Sequence, residues 1–174
     1  MNTRRRIHLA AGLAGMFAVA TTAVPITAHA DSSANQDLAA ARAATAKYHD
    51  EARALADGYL RDDFCTESPD GVMGYHYLNP ALLEAPMDVR TPPILIYQPR
   101  PDGGRKLVAV EYFQADADQD LATDDDRPTL FGQGFDGPME GHGPGMPVHY
   151  DLHVWVWQHN PDGMFAQFNP AGSC

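Results

Sequence analysis

The run Pro147-Val148-His149-Tyr150-Asp151-Leu152-His153-Val154-Trp155-Val156-Trp157 constrains the fold of this chain more than any other segment. Aliphatic and aromatic residues alternate with polar ones, and in an extended strand successive side chains point to opposite faces. One face then carries Tyr150, Leu152, Val154 and Val156, an apolar set suited to a core. The other carries His149, Asp151, His153, Trp155 and Trp157. A face that simply met water would hold Lys, Glu, Thr or Ser. A row of His, Asp and His beside Trp reads instead as a pocket wall, so the strand needs a fold that occupies both its faces.

The remaining pattern supplies such a fold. Leu38, Ala41, Thr45, Tyr48, Ala52, Leu55 and Tyr59 recur at spacings of three and four and predict one amphipathic helix over about 36–61. Its alanines favour helix intrinsically. His49 sits beside the stripe as a surface or boundary residue. Val72–Leu78, Pro93–Tyr97 and Lys106–Phe113 are β-rich runs, with turn chemistry at Glu67–Gly71 and a hairpin loop at Arg100–Arg105. Thr129–Met146, rich in Gly and Pro, is expected to be irregular. A long strand 147–158 follows, then a turn at Asn160–Gly163 and a last strand at Met164–Phe168. The expectation is an α+β domain: one long N-terminal amphipathic helix packed on a mostly antiparallel, curved sheet of about five strands. As an architecture this looks like the nuclear-transport-factor-2-like or cystatin-like class.

Residues 1–30 read as a signal peptide: Arg4, Arg5 and Arg6, then the short apolar stretch Leu9–Val24, then Ala28-His29-Ala30 before Asp31. Thr3-Arg4-Arg5-Arg6-Ile7 half-matches a twin-arginine signal, so export runs by the general or the twin-arginine route. Residues 31–174 are then one globular domain. The chain has net charge −11, and because residues 1–30 hold three Arg and no acidic residue, the remainder carries −14. Such a charge excludes nucleic acid and anionic membrane as partners, since both demand Lys and Arg. The two cysteines, Cys65 and Cys174, in an exported chain form one disulfide. The expected product is a secreted, monomeric or weakly associating domain that does not insert into membranes.

Two further strand residues stand out chemically. Glu111 lies in the apolar run Leu107–Phe113, and His76 lies mid-strand in Gly74–Leu78. A buried carboxylate requires a partner; an edge position open to water is the plainer reading for Glu111, and a hydrogen-bonded structural role for His76. His nitrogen and carboxylate oxygen suit a divalent transition metal such as zinc or copper. Residues four apart on a strand are about 13 Å apart, so His149 and His153 do not share one ion. A workable site takes one or two members of the row His149, Asp151, His153 together with Glu111 or His76. Trp155 and Trp157 are the candidates to contact a small organic ligand. His142, Met139, Met146 and Met164 together would favour copper, against a plainer reading as loop and core residues. Asp116-Ala117-Asp118-Gln119-Asp120 begins like a calcium loop, but Leu121 and Arg127 replace the glycine and glutamate such a loop needs, leaving a solvated charge run. Nucleophile and phosphate-binding motifs are absent from the sequence. The alternatives to a metal or ligand-binding domain are a metal-free acid–base enzyme of the nuclear-transport-factor-2-like type and a non-enzymatic cell-envelope binding module.

Met73–Pro80, Val110-Glu111-Tyr112, Phe131-Gly132-Gln133, His149–Trp155 and Asn160-Pro161-Asp162-Gly163-Met164-Phe165 resemble a group of small exported bacterial proteins frequent in actinobacteria. The resemblance spans most of residues 45–174. It implies export, but no activity and no cofactor.

Overall fold

A computed structural model describes residues 27–143 and 145–174 of the chain, so the expected signal segment lies, up to residue 26, outside the described residues. Helix α1 (Thr27–Thr45) runs into a 3₁₀ turn (Ala46–His49) and then helix α2 (Glu51–Ala56). Strands β1 (Cys65–Ser68) and β2 (Gly71–Leu78) follow, then the single turn α3 (Pro80–Leu83), β3 (Ile94–Pro99) and β4 (Arg105–Ala115). The short hairpin β5 (Thr129–Leu130) and β6 (Gln133–Gly134) precedes β7 (Asp136–Met139) and β8 (His149–Val154). The main sheet has six strands in the order β1-β2-β3-β4-β8-β7, every pair antiparallel. It curls into a half-barrel. Register shifts at Thr66/Glu67, Ile96/Tyr97 and Asp136/Met139 supply part of that curl, because an extra residue on one strand bends it and raises its twist. Gly74, at φ +121°, brings β2 so close to β3 that an added Cβ would sit 2.3 Å from the Tyr97 carbonyl oxygen. The strand carrying His76 can therefore lie there only with glycine at this position.

The expected single helix is two, and the break has a local cause. Asp50 takes an extended backbone (φ −89°, ψ 103°) and its carboxylate accepts from the Ala52 N–H, capping α2. The break resets the helical phase. Ala41, Thr45, Tyr48 and Tyr59 are buried as the stripe requires, but within α2 it is Ala54 that is buried, while Ala52 and Leu55 face water. Four other expectations are corrected. Glu67 and Ser68 belong to β1 rather than to the following turn. Thr129–Met146 contains β5, β6 and β7. Strand β8 ends at Val154 instead of running to 158, because the Trp155 N–H turns away to donate to the Met164 carbonyl. Met164–Phe168 forms no strand; instead Val72 and Asn169 exchange backbone hydrogen bonds.

The helices cover one face of the sheet. Tyr77, Leu95, Tyr97, Leu107, Val110, Tyr112, Tyr150, Leu152 and Val154 pack there with Ala41, Tyr48, Ala54 and Tyr59. Leu152 is 2% exposed at the centre of this cluster. Leu152→Ala is expected to cost about 2–5 kcal/mol in a denaturant melt. A loss below about 1 kcal/mol would mean that the packing around β8 is not the main core.

The same core makes stability sensitive to alkali. Tyr59, Tyr97 and Tyr112 donate their hydroxyls to the buried carbonyls of Pro92, Tyr48 and Val89. Burial, reinforced by neighbouring phenol or carboxylate groups, pushes all three well above the ordinary tyrosine range. These folded-state values are raised, so below about pH 10 the three hydroxyls are protonated in both states. Above it the unfolded chain releases protons that the folded one retains, and stability falls by roughly 4 kcal/mol per pH unit for three such groups. Unfolding curves at pH 9.5 and pH 10.5 check this, and equal midpoints would contradict it.

Among the described residues no helix is long and apolar enough to cross a membrane. Cys65 and Cys174 form the expected disulfide, with no free cysteine remaining. It joins Cys174 to the start of β1.

Candidate metal centre

The face of the sheet away from the helices carries the polar residues. Glu111 on β4 lies directly opposite His153 on β8, and opposite Ile94 on β3 at its other side. His76 on β2 lies two residues further along, opposite Ile96. Ile94 and Ile96 of the intervening strand lie between them, and His76 reaches across to Glu111. His76 Nε2 lies 3.3 Å and His153 Nε2 3.6 Å from Glu111 Oε2. One ligand-capable atom from each of the three lies within 4.8 Å of the others.

The group is withdrawn from water, with Glu111 4% and His153 1% exposed. Glu111 Oε2 and both ring nitrogens of His153 are buried and make no hydrogen bond. Asp151 stands at the other ring nitrogen, with Oδ1 3.6 Å from His153 Nδ1 and itself unbonded. Glu111 Oε2 has imidazole nitrogens beside it but no hydrogen bond at this depth, which costs free energy that a cation held among the three groups would relieve. The electrostatics agree. Burial, with the His153 cation adding to it, pushes His76 down to about 3 and keeps its imidazole neutral. Burial raises Glu111 above the usual carboxylate range, with His153 opposing. Burial also opposes the charged form of His153, but the Glu111 and Asp151 carboxylates outweigh it and raise that histidine.

The group opens into a cavity of about 810 Å³. Apolar side chains dominate the walls: Phe64, Met73, Leu78, Leu83, Ile94, Phe113, Met139, Met146 and Phe168. Asp151 and His142 also reach it.

The sequence candidates therefore separate. His76, Glu111 and His153 come together, and Asp151 stands behind His153. His149 is fully buried but lies outside the group, stacked on Phe113 at 5.0 Å with Nδ1 3.1 Å from the Pro147 carbonyl. His142 packs against it at 5.1 Å. Trp155 and Trp157 do not line the cavity. Trp155 joins Ile96, Val108 and Ala109 in a small second cluster and donates to the Ala166 carbonyl. Trp157, past the end of β8, sits on the helix side, where its indole donates to Thr45 Oγ1 and its ring meets His49 at 4.3 Å. Strict alternation placed both tryptophans in the polar row, and it fails because β8 stops at Val154. In the acidic loop, the Asp116, Asp118 and Asp120 carboxylates accept backbone N–H groups of their own loop; Asp118 and Asp120 are exposed as a solvated run requires, but Asp116 at the start of the run is buried. Sequence reading missed Phe64, Met73 and Phe168 as cavity walls. The disulfide was the available signal, since it ties the segments around Phe64 and Phe168 to one end of the sheet.

No protein-family model matches the chain, and no curated protein or solved structure matches it either.

Proposed function

We propose that this protein is an exported metal-binding domain in which His76, Glu111 and His153 hold one divalent transition ion, zinc in preference to copper, with a remaining coordination position facing the cavity. The observation that carries the reading is the buried, unbonded Glu111 Oε2 placed 3.3 and 3.6 Å from two imidazole nitrogens. Two ligand atoms about 2.0–2.2 Å from one tetrahedral ion stand about 3.3–3.6 Å apart; octahedral neighbours would be closer. Two imidazoles with one carboxylate also match the donor set of catalytic zinc, which retains an open position. Copper(I) would call for sulfur ligands. Asp151 at His153 Nδ1 fits the carboxylate that orients a ligating histidine and raises its basicity. Export is supported by the disulfide, which persists in oxidising compartments, by the signal-like residues 4–30, and by the resemblance to small exported actinobacterial-type proteins. A small ligand or metal ion, rather than nucleic acid, is the partner this acidic chain favours.

The test is calorimetric titration of Zn²⁺ into chelator-treated protein. One ion per chain is expected, with a melting temperature that climbs with free zinc because the ion binds only the folded state. No saturable binding would overturn the proposal. Asp151→Asn should bind the same single ion about 10–100-fold more weakly; unchanged affinity would remove Asp151 from the site.

A further inference from the structure

We infer that the cavity beside the triad takes an uncharged, largely apolar molecule that places one neutral donor atom, a hydroxyl or carbonyl oxygen, against the bound ion. This inference rests on the metal reading above and extends it to the ligand. Size is the first argument. About 810 Å³ falls within the range of about 300–1,000 Å³ typical of small-molecule sites. The walls are the second. Met73, Met139 and Met146 line the cavity with Phe113 and Phe168, and methionine adapts its shape to varied apolar occupants. At the same cavity Phe64 is 71% and Leu78 36% exposed, an apolar rim through which such a molecule can enter.

Charge decides the class. Among the described residues lining the cavity there is no Lys and no Arg, while Asp62, Glu111 and Asp151 are carboxylates. A divalent ion with two neutral imidazoles is already balanced by Glu111 and Asp151. A carboxylate or phosphate ligand would add an uncompensated negative charge beside residues 4% and 2% exposed. An ammonium ligand would be repelled by the ion itself. A neutral donor adds no charge beside these carboxylates and still completes the coordination of the ion.

The probes are octanamide, octanoate and octylammonium, which share one chain and differ in head charge. Each is titrated calorimetrically into zinc-loaded and chelator-treated protein. The zinc-loaded form should bind octanamide at least about tenfold tighter than either charged probe, a gap of about 1.4 kcal/mol. Removing the zinc should weaken octanamide by a similar factor. Met139→Trp, which fills the cavity from β7, should lose octanamide while still binding one zinc; Met146→Trp, on the loop before β8, serves if the first variant fails to fold. Octanoate binding as tightly as octanamide, or no probe binding to protein that binds zinc, would overturn this inference and leave the metal reading standing. Octanamide affinity indifferent to bound zinc would likewise overturn the contact with the ion. Failure to bind zinc at all would overturn the metal reading itself, and this inference with it.

Discussion

Glu111→Gln is expected to lower zinc affinity by at least about 100-fold, because the change keeps the shape but removes the only anionic ligand. The same change should leave the metal-free protein as stable as before, or more so. The Glu111 carboxylate is 4% exposed and Oε2 lacks a hydrogen bond, so an amide there relieves a desolvated charge while Asp151 remains as counter-ion to His153. Opposite effects on the two forms are the signature of a ligand. If Glu111 served only as a structural counter-ion to His76 and His153, removing it would leave buried histidine charge unpaired and cost the metal-free protein about 3–5 kcal/mol. Melting curves of wild type and Glu111→Gln with and without zinc separate the cases. In a metal-free acid–base site, by contrast, the zinc-dependent difference between wild type and Glu111→Gln would be nil, and only turnover of a small ligand would fall.

Reducing the Cys65–Cys174 disulfide is expected to cost about 4–5 kcal/mol, since it closes a loop of 109 residues and the restraint on the unfolded chain grows with loop length. The effect should extend beyond global stability. Cys65 opens β1, and the neighbouring segments supply Phe64, Thr66, Gln167 and Phe168 to the cavity. Without the link these walls rest on the Val72–Asn169 bridge and the adjoining turn. A Cys65→Ser, Cys174→Ser double variant should therefore lose apolar-ligand binding at temperatures where it still binds zinc, because His76, Glu111 and His153 all lie on β2, β4 and β8. A stability loss under about 1 kcal/mol would show that the reduced chain keeps the constraint by other means.

The parts of this architecture legible in the sequence were those written in a single period. The two-residue alternation from His149 to His153 marked Tyr150 and Leu152 for the core face and His153 for the other face. Glu111 and His76 stood out because each was a polar residue within an apolar strand pattern. That His153 and Glu111 face each other depends on strand register, which no single strand encodes; the hairpin-like pairing of β4 and β8 spans a long connection. The rest was lost where a local interaction interrupts a period. Asp50 caps a new helix and shifts the buried positions from Ala52 and Leu55 to Ala54. The Trp155 backbone turns to Met164 and carries Trp157 to the helix side. The cavity walls come from segments without period, such as those around Phe64 and Phe168, which the disulfide and the Val72–Asn169 bridge hold at the sheet.

The most direct measurement is elemental analysis of the exported protein purified without a metal-affinity tag, with its melting temperature recorded before and after chelator. The account expects close to one zinc per chain, absent from Glu111→Gln, and a melting temperature that falls on chelation and returns with zinc. Protein free of zinc, copper, iron and manganese, with a melting temperature indifferent to chelator, would contradict it.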